Sequence, residues 1–153
     1  MCKYYIAYGS NLNIQQMKLR CPNARVVGET ILHGYRLRFR GNPCDAVATI
    51  EPAEGYYVPV GIWRISDADE AALDIYEGYP HLYRKETMLI MLDEQPISAM
   101  VYILARDYPY NAPCFAYLRT IRDGYIAFGM NTSVLSRAVA KTMEVNRYDR
   151  QDS

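Results

Sequence analysis

Charge of one sign is missing from this sequence: 17 Lys and Arg stand against 17 Asp and Glu, a formal net charge of +0 in 153 residues. A dedicated nucleic-acid binder would usually carry a basic excess, so no nucleic-acid partner is expected. No apolar run approaches the ~20 residues of a membrane span, so no membrane partner is expected either. Histidine is scarce, with only His33 and His81. The four cysteines, Cys2, Cys21, Cys44 and Cys114, contain no C-x-x-C pair. A structural zinc site needs clustered ligands, and none is expected here. There is no Walker loop, no Rossmann fingerprint and no Gly-x-Ser-x-Gly elbow. The opening Met1–Tyr8 has one positive charge, a short apolar stretch and no cleavage site. It reads as a first strand, not a signal peptide, and the expectation is a cytoplasmic protein with free thiols.

Half of the residues are hydrophobic and 22% are charged, which is globular composition. A domain of ~150 residues can bury roughly 68–70% of its unfolded surface without disulfides or metal. With no repeat, linker or low-complexity stretch, residues 1–145 read as a single domain and 146–153 as a polar, frayed tail. Tyrosine is the excess: 15 Tyr against 3 Phe and 1 Trp. Tyrosines suit half-buried strands and binding clefts alike, so the count alone does not choose.

Along the chain, Lys3–Tyr8 is a β-rich run broken by Gly9-Ser10-Asn11, and Asn11 or Asn13 could cap a short helix through about Arg20. Residues 24–40 are strand-like and end in strict alternation. Tyr35, Leu37 and Phe39 fall on one face, and Arg36, Arg38 and Arg40 on the other, read as a solvated stripe. Residues 45–51 and 56–65 read as two further strands. Ser66 is a suitable N-cap, with Asp67, Asp69 and Glu70 in the first turn. Leu73 and Tyr76 give that helix its apolar stripe, Asp74 faces solvent, and Gly78 and Pro80 end it. Residues 83–92 and 97–104 read as paired strands. Helical spacing returns from Pro113, and a last helix runs from Val134 to about Val145. About six strands, mostly in succession, with four helices indicate an α+β fold with a curved or closed sheet.

Two places could carry chemistry. In Tyr8-Gly9-Ser10-Asn11-Leu12, a glycine directly after a strand lets several N–H groups point into one space, able to hold an anion or an oxyanion. An ordinary capped turn is the alternative. Glu77, four residues after Leu73, shares the apolar face of its helix. Buried there, it would have a raised pKa and could hold a proton near neutrality; at the rim, it would instead pair with an arginine such as Arg84. Ser10, Cys44 and Cys114 have no evident basic helper, which argues against a covalent nucleophile.

Three segments in order resemble the γ-glutamylcyclotransferase-like (AIG2-like) family. They are Tyr5-Ile6-Ala7-Tyr8-Gly9-Ser10-Asn11-Leu12, then Leu73-Asp74-Ile75-Tyr76-Glu77-Gly78 followed by Tyr83-Arg84-Lys85, then Asn111–Ile121 with Gly124. Cys114 stands where relatives often carry Ser. The resemblance implies a closed mixed β-barrel of about six strands with flanking helices. It implies substrate contacts from Tyr5, Ile6, Ala7, Tyr8, Gly9 and Ser10, an acid/base at Glu77, a substrate-facing Tyr117, and neither metal nor cofactor. It also implies a small-molecule γ-glutamyl substrate, cyclised to 5-oxoproline with release of an amine or amino acid. A non-catalytic module binding a small carboxylate-bearing ligand is the alternative.

Overall fold

A computed structural model describes the backbone of residues 2–151 and the side chains of residues 2–146. The elements in chain order are β1 (Cys2–Ala7), a 3-10 turn (Ser10–Leu12), α1 (Ile14–Arg20), β2 (Arg25–Arg40), β3 (Val47–Ser66), α2 (Asp67–Tyr76), β4 (Tyr83–Leu92), β5 (Gln95–Leu104), α3 (Phe115–Ala127) and α4 (Thr132–Gln151). The five strands form one mixed sheet in the order β2-β3-β1-β5-β4. β1 lies at its centre, antiparallel to β3 and parallel to β5 through Tyr4↔Ala99 and Tyr5↔Met100.

The expected closed barrel of six strands is therefore corrected to an open sheet of five. Two causes account for this. The segments expected at 45–51 and 56–65 are one continuous strand, β3, of 20 residues. Its ladder with β2 jumps from Tyr35↔Pro52 to His33↔Tyr57, so a bulge absorbs the residues between the two expected strands. The edges β2 and β4 then approach without pairing. Thr30 Oγ1 donates to the Met91 carbonyl at 2.6 Å, a side-chain bond in place of a ladder.

Apolar alternation along the strands fills the core. Ile6, Val58, Val60, Ile62 and Ile65 are fully buried, each worth roughly 1.5–3 kcal/mol of burial. α3 adds Ile121 and Tyr125, spaced four apart on one face. Phe115, at the start of the helix, is exposed, with the Arg119 guanidinium 5.3 Å from its ring centroid. Gly124 is where α3 meets the 3-10 turn. A Cβ there would come within 2.6 Å of the Leu12 backbone, so only glycine permits the approach.

The C-terminal helix runs to Gln151, past the end expected near Val145. Thr142 Oγ1 accepts from the Phe39 amide at 3.3 Å, and Asn146 Nδ2 donates to Asn111 Oδ1 at 2.9 Å, fastening this helix along β2. Asn146, the first residue of the expected tail, is thus anchored; residues 152 and 153 lie outside the described residues. Among the described residues, no helix is long and apolar enough to cross a membrane.

Candidate active site

β1 ends at the centre of the sheet and delivers Tyr8-Gly9-Ser10 to one end of it. There the chain tightens into the 3-10 turn, closed by Leu12 N–H to the Gly9 carbonyl at 3.0 Å. Such a turn leaves its first amides without internal acceptors. Gly9 has φ −124°, outside the left-handed region, so its requirement is spatial. A Cβ would lie 3.3 Å from Ala48 Cβ and 3.7 Å from the Tyr117 hydroxyl. Asn13, not Asn11, caps α1, accepting from the Gln16 amide at 3.0 Å.

α2 brings Glu77 to the same place. Ser66 and Asp69 form a reciprocal capping box at its start. At its end, Tyr79 N–H bonds the Asp74 carbonyl at 2.9 Å and Gly78 N–H bonds the Ile75 carbonyl at 3.2 Å. This is a Schellman motif with Gly78 at φ 64° and Glu77 as the cap. Leu73 is fully buried, while Tyr76 is exposed on the outer side, with the Arg20 guanidinium 3.5 Å from its ring centroid. Asp74 does not simply face solvent: it accepts from Tyr102 at 2.6 Å and pairs with Lys85 at 2.9 Å.

Glu77, Tyr5, Tyr8, Gly9, Ser10 and Tyr117 all line one cavity of about 30 Å³. Ile6 and Ala7, also expected to touch substrate, lie in the core and not on its wall. Sequence reasoning missed Ala48 and Tyr102, which complete the wall with Asn11 and Tyr83. Glu77 is only partly covered as a residue, but its carboxyl is the inner end. Burial pushes its pKa up to about 7, against the opposing pull of the Arg20 charge and the Asn11 hydrogen bond. Arg84 pairs with Glu86, so the rim ion pair considered for Glu77 does not form.

Asn11 organises this end of the molecule. Its Nδ2 donates to the Tyr5 hydroxyl at 2.8 Å and to Glu77 Oε1 at 3.1 Å. Its Oδ1 accepts from Arg20, and its backbone carbonyl accepts from Trp63 Nε1 at 3.1 Å. The Ser10 and Tyr76 hydroxyls lie 3.0 Å apart at the mouth.

The tyrosines divide into two kinds. Burial raises the pKa of Tyr5, Tyr8, Tyr83 and Tyr117, so all four stay neutral. Tyr8 donates to the Tyr102 carbonyl at 2.5 Å and Tyr83 to the Ala48 carbonyl at 2.6 Å, which spends both protons on the backbone. Tyr5 and Tyr117 instead accept, from Asn11 and from the Ala48 amide at 3.0 Å. Their own hydroxyl protons are therefore available to a ligand.

Burial pushes the Cys21 thiol up to about 11, far from a thiolate at neutral pH. Cys114 is a structural cap, its Sγ accepting from the Tyr117 amide at 3.4 Å. Among the described residues, no three His, Cys, Asp or Glu side chains are grouped to hold a metal ion.

Comparison with known proteins places this fold and these motifs together. A solved structure described as a gamma-glutamyl cyclotransferase shares the fold with a TM-score of 0.80, at 24% identity over 90% of this chain and 86% of that one. The human protein loc79017 gives a TM-score of 0.80 at 23% identity, over 90% of this chain and 86% of its own. YkqA of Bacillus subtilis matches with a TM-score of 0.75 at 19% identity, over 96% of this chain but 54% of its own length. No curated protein matches the chain. At these identities the structures speak for the fold alone. The sequence model of the gamma-glutamyl cyclotransferase, AIG2-like family matches residues 5–120, most of the chain, and this protein belongs to that family.

Proposed function

We propose that the chain catalyses γ-glutamyl cyclotransfer. The α-amine of a γ-glutamyl compound attacks its own γ-carbonyl, a C–N bond forms to close the five-membered ring, and the original amide C–N bond breaks. The products are 5-oxoproline and a free amine or amino acid. The observation that carries this reading is Glu77, a carboxyl held near pH 7 inside a tyrosine-lined cavity beside the Gly9-Ser10 turn.

The substrate brings its own nucleophile, which is why no serine or thiol needs activating. Holding amine and carbonyl in a near-attack arrangement is worth roughly 7–11 kcal/mol. Glu77 takes the ammonium proton. From an α-amine of pKa ~8 to a carboxylate at about 7 the transfer is uphill by only ~1.4 kcal/mol. An unperturbed glutamate would face about 5 kcal/mol. The same proton then goes to the departing amine. The Gly9 and Ser10 amides receive the developing oxyanion, each such donor contributing about 2.7–4 kcal/mol. Tyr5 and Tyr117 donate their hydroxyl protons to the remaining substrate oxygens. The cavity of about 30 Å³ holds about one water, so side chains at its mouth must move to admit a γ-glutamyl group. The Ser10–Tyr76 contact is placed to open.

The test measures 5-oxoproline by mass spectrometry from γ-glutamyl amino acids, ε-(γ-glutamyl)lysine and γ-glutamyl amines, with wild type and Glu77→Gln across pH 5–9. The variant is expected to fold, to bind the best substrate and to turn over at least ~10²-fold more slowly. The wild-type rate is expected to fall below a midpoint near pH 7 as Glu77 protonates. Equal rates remove Glu77 from the mechanism. Binding without turnover by either protein makes this a ligand-binding module instead.

A further inference from the structure

The arginine stripe of β2 has no part in the Glu77 site, and it is not the solvated face that its alternation suggested. Arg36 and Arg40 both pair with Glu51, each at 2.9 Å. Arg38 between them is 5% exposed. Its Nη1 donates to the Leu37 carbonyl at 2.8 Å, while its Nε is buried without a hydrogen-bond partner. No carboxylate pairs with it among the described residues. Burial and the neighbouring Arg36 charge both pull its pKa down. An unpaired buried guanidinium is costly, and an unsatisfied N–H adds to that cost.

Arg38 lines an open-sided cavity of about 410 Å³ between α4 and the β2–β3 bulge. That volume is typical of small-molecule sites, roughly 300–1,000 Å³. The walls are apolar or aromatic: Leu37, Val134 and Ala138 on one side, the Tyr56 and Tyr57 rings on the other. The Arg38 guanidinium sits 5.9 Å from the Tyr56 ring centroid. At the rim, Lys141 is paired with Glu144 at 3.3 Å. Arg137 is held by the carbonyl and hydroxyl of Ser133, with no carboxylate partner among the described residues. Two guanidiniums without a carboxylate partner thus face this cavity, where the lining carboxylate of Glu144 is paired with Lys141. Guanidinium geometry matches the two oxygens of a carboxylate or phosphate.

We propose that this cavity is a second ligand site that takes a small organic anion, a carboxylate or phosphate carried on an aromatic or aliphatic body. The charged head rests on Arg38 and Arg137, filling the vacancy at Arg38 Nε. The body lies between the Tyr56 and Tyr57 rings and the apolar side of α4. The site is separate from the Glu77 cavity, because the two share no lining residue. With Glu144 held by Lys141, the role proposed for the site is binding.

Titration calorimetry on the full chain tests this with four probes: 2-naphthoate, 2-naphthyl phosphate, inorganic phosphate and neutral 2-naphthamide. At least one naphthyl anion is expected to bind with 1:1 stoichiometry. The amide and inorganic phosphate should bind about tenfold more weakly or worse, for want of head and body respectively. Comparing the two naphthyl anions identifies the head group. Arg38→Gln and Arg137→Gln should each weaken binding by roughly tenfold, while Glu77→Gln leaves it unchanged. Arg137 is exposed on α4, so its variant gives a reading even if Arg38→Gln does not fold. Failure of both naphthyl anions to bind by about 10 mM overturns the proposal. So does undiminished binding by the folded arginine variants, or loss of binding in Glu77→Gln.

Discussion

Glu77 links the protonation state of the site to the stability of the whole fold. Burial raises its pKa from 4.5 to about 7 in the folded chain, whereas an unfolded glutamate titrates in the ordinary range. For a group raised on folding, the contribution to stability is complete below about pH 4.5 and is lost as pH rises through about 7. The loss amounts to roughly 3 kcal/mol. Glu77→Gln is therefore expected to match wild type in stability near pH 4.5 and to exceed it at pH 8 by up to that amount. Urea midpoints of both proteins at the two pH values measure it, and a gap independent of pH would mean the carboxyl is not desolvated. The burial of Glu77 was legible as one of two alternatives, because its side of the helix follows from spacing after Leu73, a local property, whereas the absence of a rim partner does not. Asn11 was not legible as the residue that holds the site together. Its bonds to Tyr5, Glu77 and Arg20 depend on β1, α1 and α2 meeting in space, and an asparagine after Gly-Ser reads as a cap. The tyrosine excess is explained in part by the cavity, whose wall includes Tyr5, Tyr8, Tyr83, Tyr102 and Tyr117.

Helix α2 shows what short-range signals can determine. Its cap residues, Ser66 and Gly78, act within a few positions of themselves, and both ends of the helix fall where those residues place them. The Schellman turn does more than stop the helix, because its cap is Glu77. Gly78→Ala puts a side chain at φ 64° and a Cβ 3.2 Å from Leu82 Cβ. The left-handed conformation alone costs about 1–2 kcal/mol for a non-glycine residue. The variant is expected to lose that much stability, and under conditions where it stays folded the 5-oxoproline formation proposed above should fall, because the Glu77 carboxyl is displaced. Denaturation and turnover of one preparation check both parts; full activity would show that the cap does not position the carboxyl. Of the two long strands, β2 was legible over its whole length and β3 was not, since Pro52 and Gly55 look like breakers in a single sequence. Their effect on β3 is a bulge, because β2 continues to supply hydrogen-bond partners on both sides of it. The last helix was cut short for a similar reason. A polar composition reads as a tail, and the Asn146 bonds that fasten it go to residues 110 and 111, in the distant segment between β5 and α3.

For the whole molecule, the α+β class and the order of elements followed from periodicity, but closure of the sheet did not, because it depends on how edges meet. β2 and β4 come close enough for the Gly28 position to pack against Leu92 Cδ1, yet their backbones do not form a ladder. Two unpaired edges facing each other would ordinarily invite pairing with another chain. Thr30 ties them through its Oγ1 bond to the Met91 carbonyl, a contact open to water on one side. Thr30→Val keeps the β-branched shape and removes only that bond. The expected cost is about 0.5–1.5 kcal/mol, towards the lower figure because the bond is exposed. Its structural consequence should be local, with faster amide hydrogen exchange along the β4 edge and no change in β1 or β3. Thr30→Ser restores the hydroxyl and should recover the exchange pattern. A Thr30→Val protein indistinguishable from wild type in both stability and β4 exchange would mean that packing alone, through contacts such as Gly28 on Leu92, holds the two edges together.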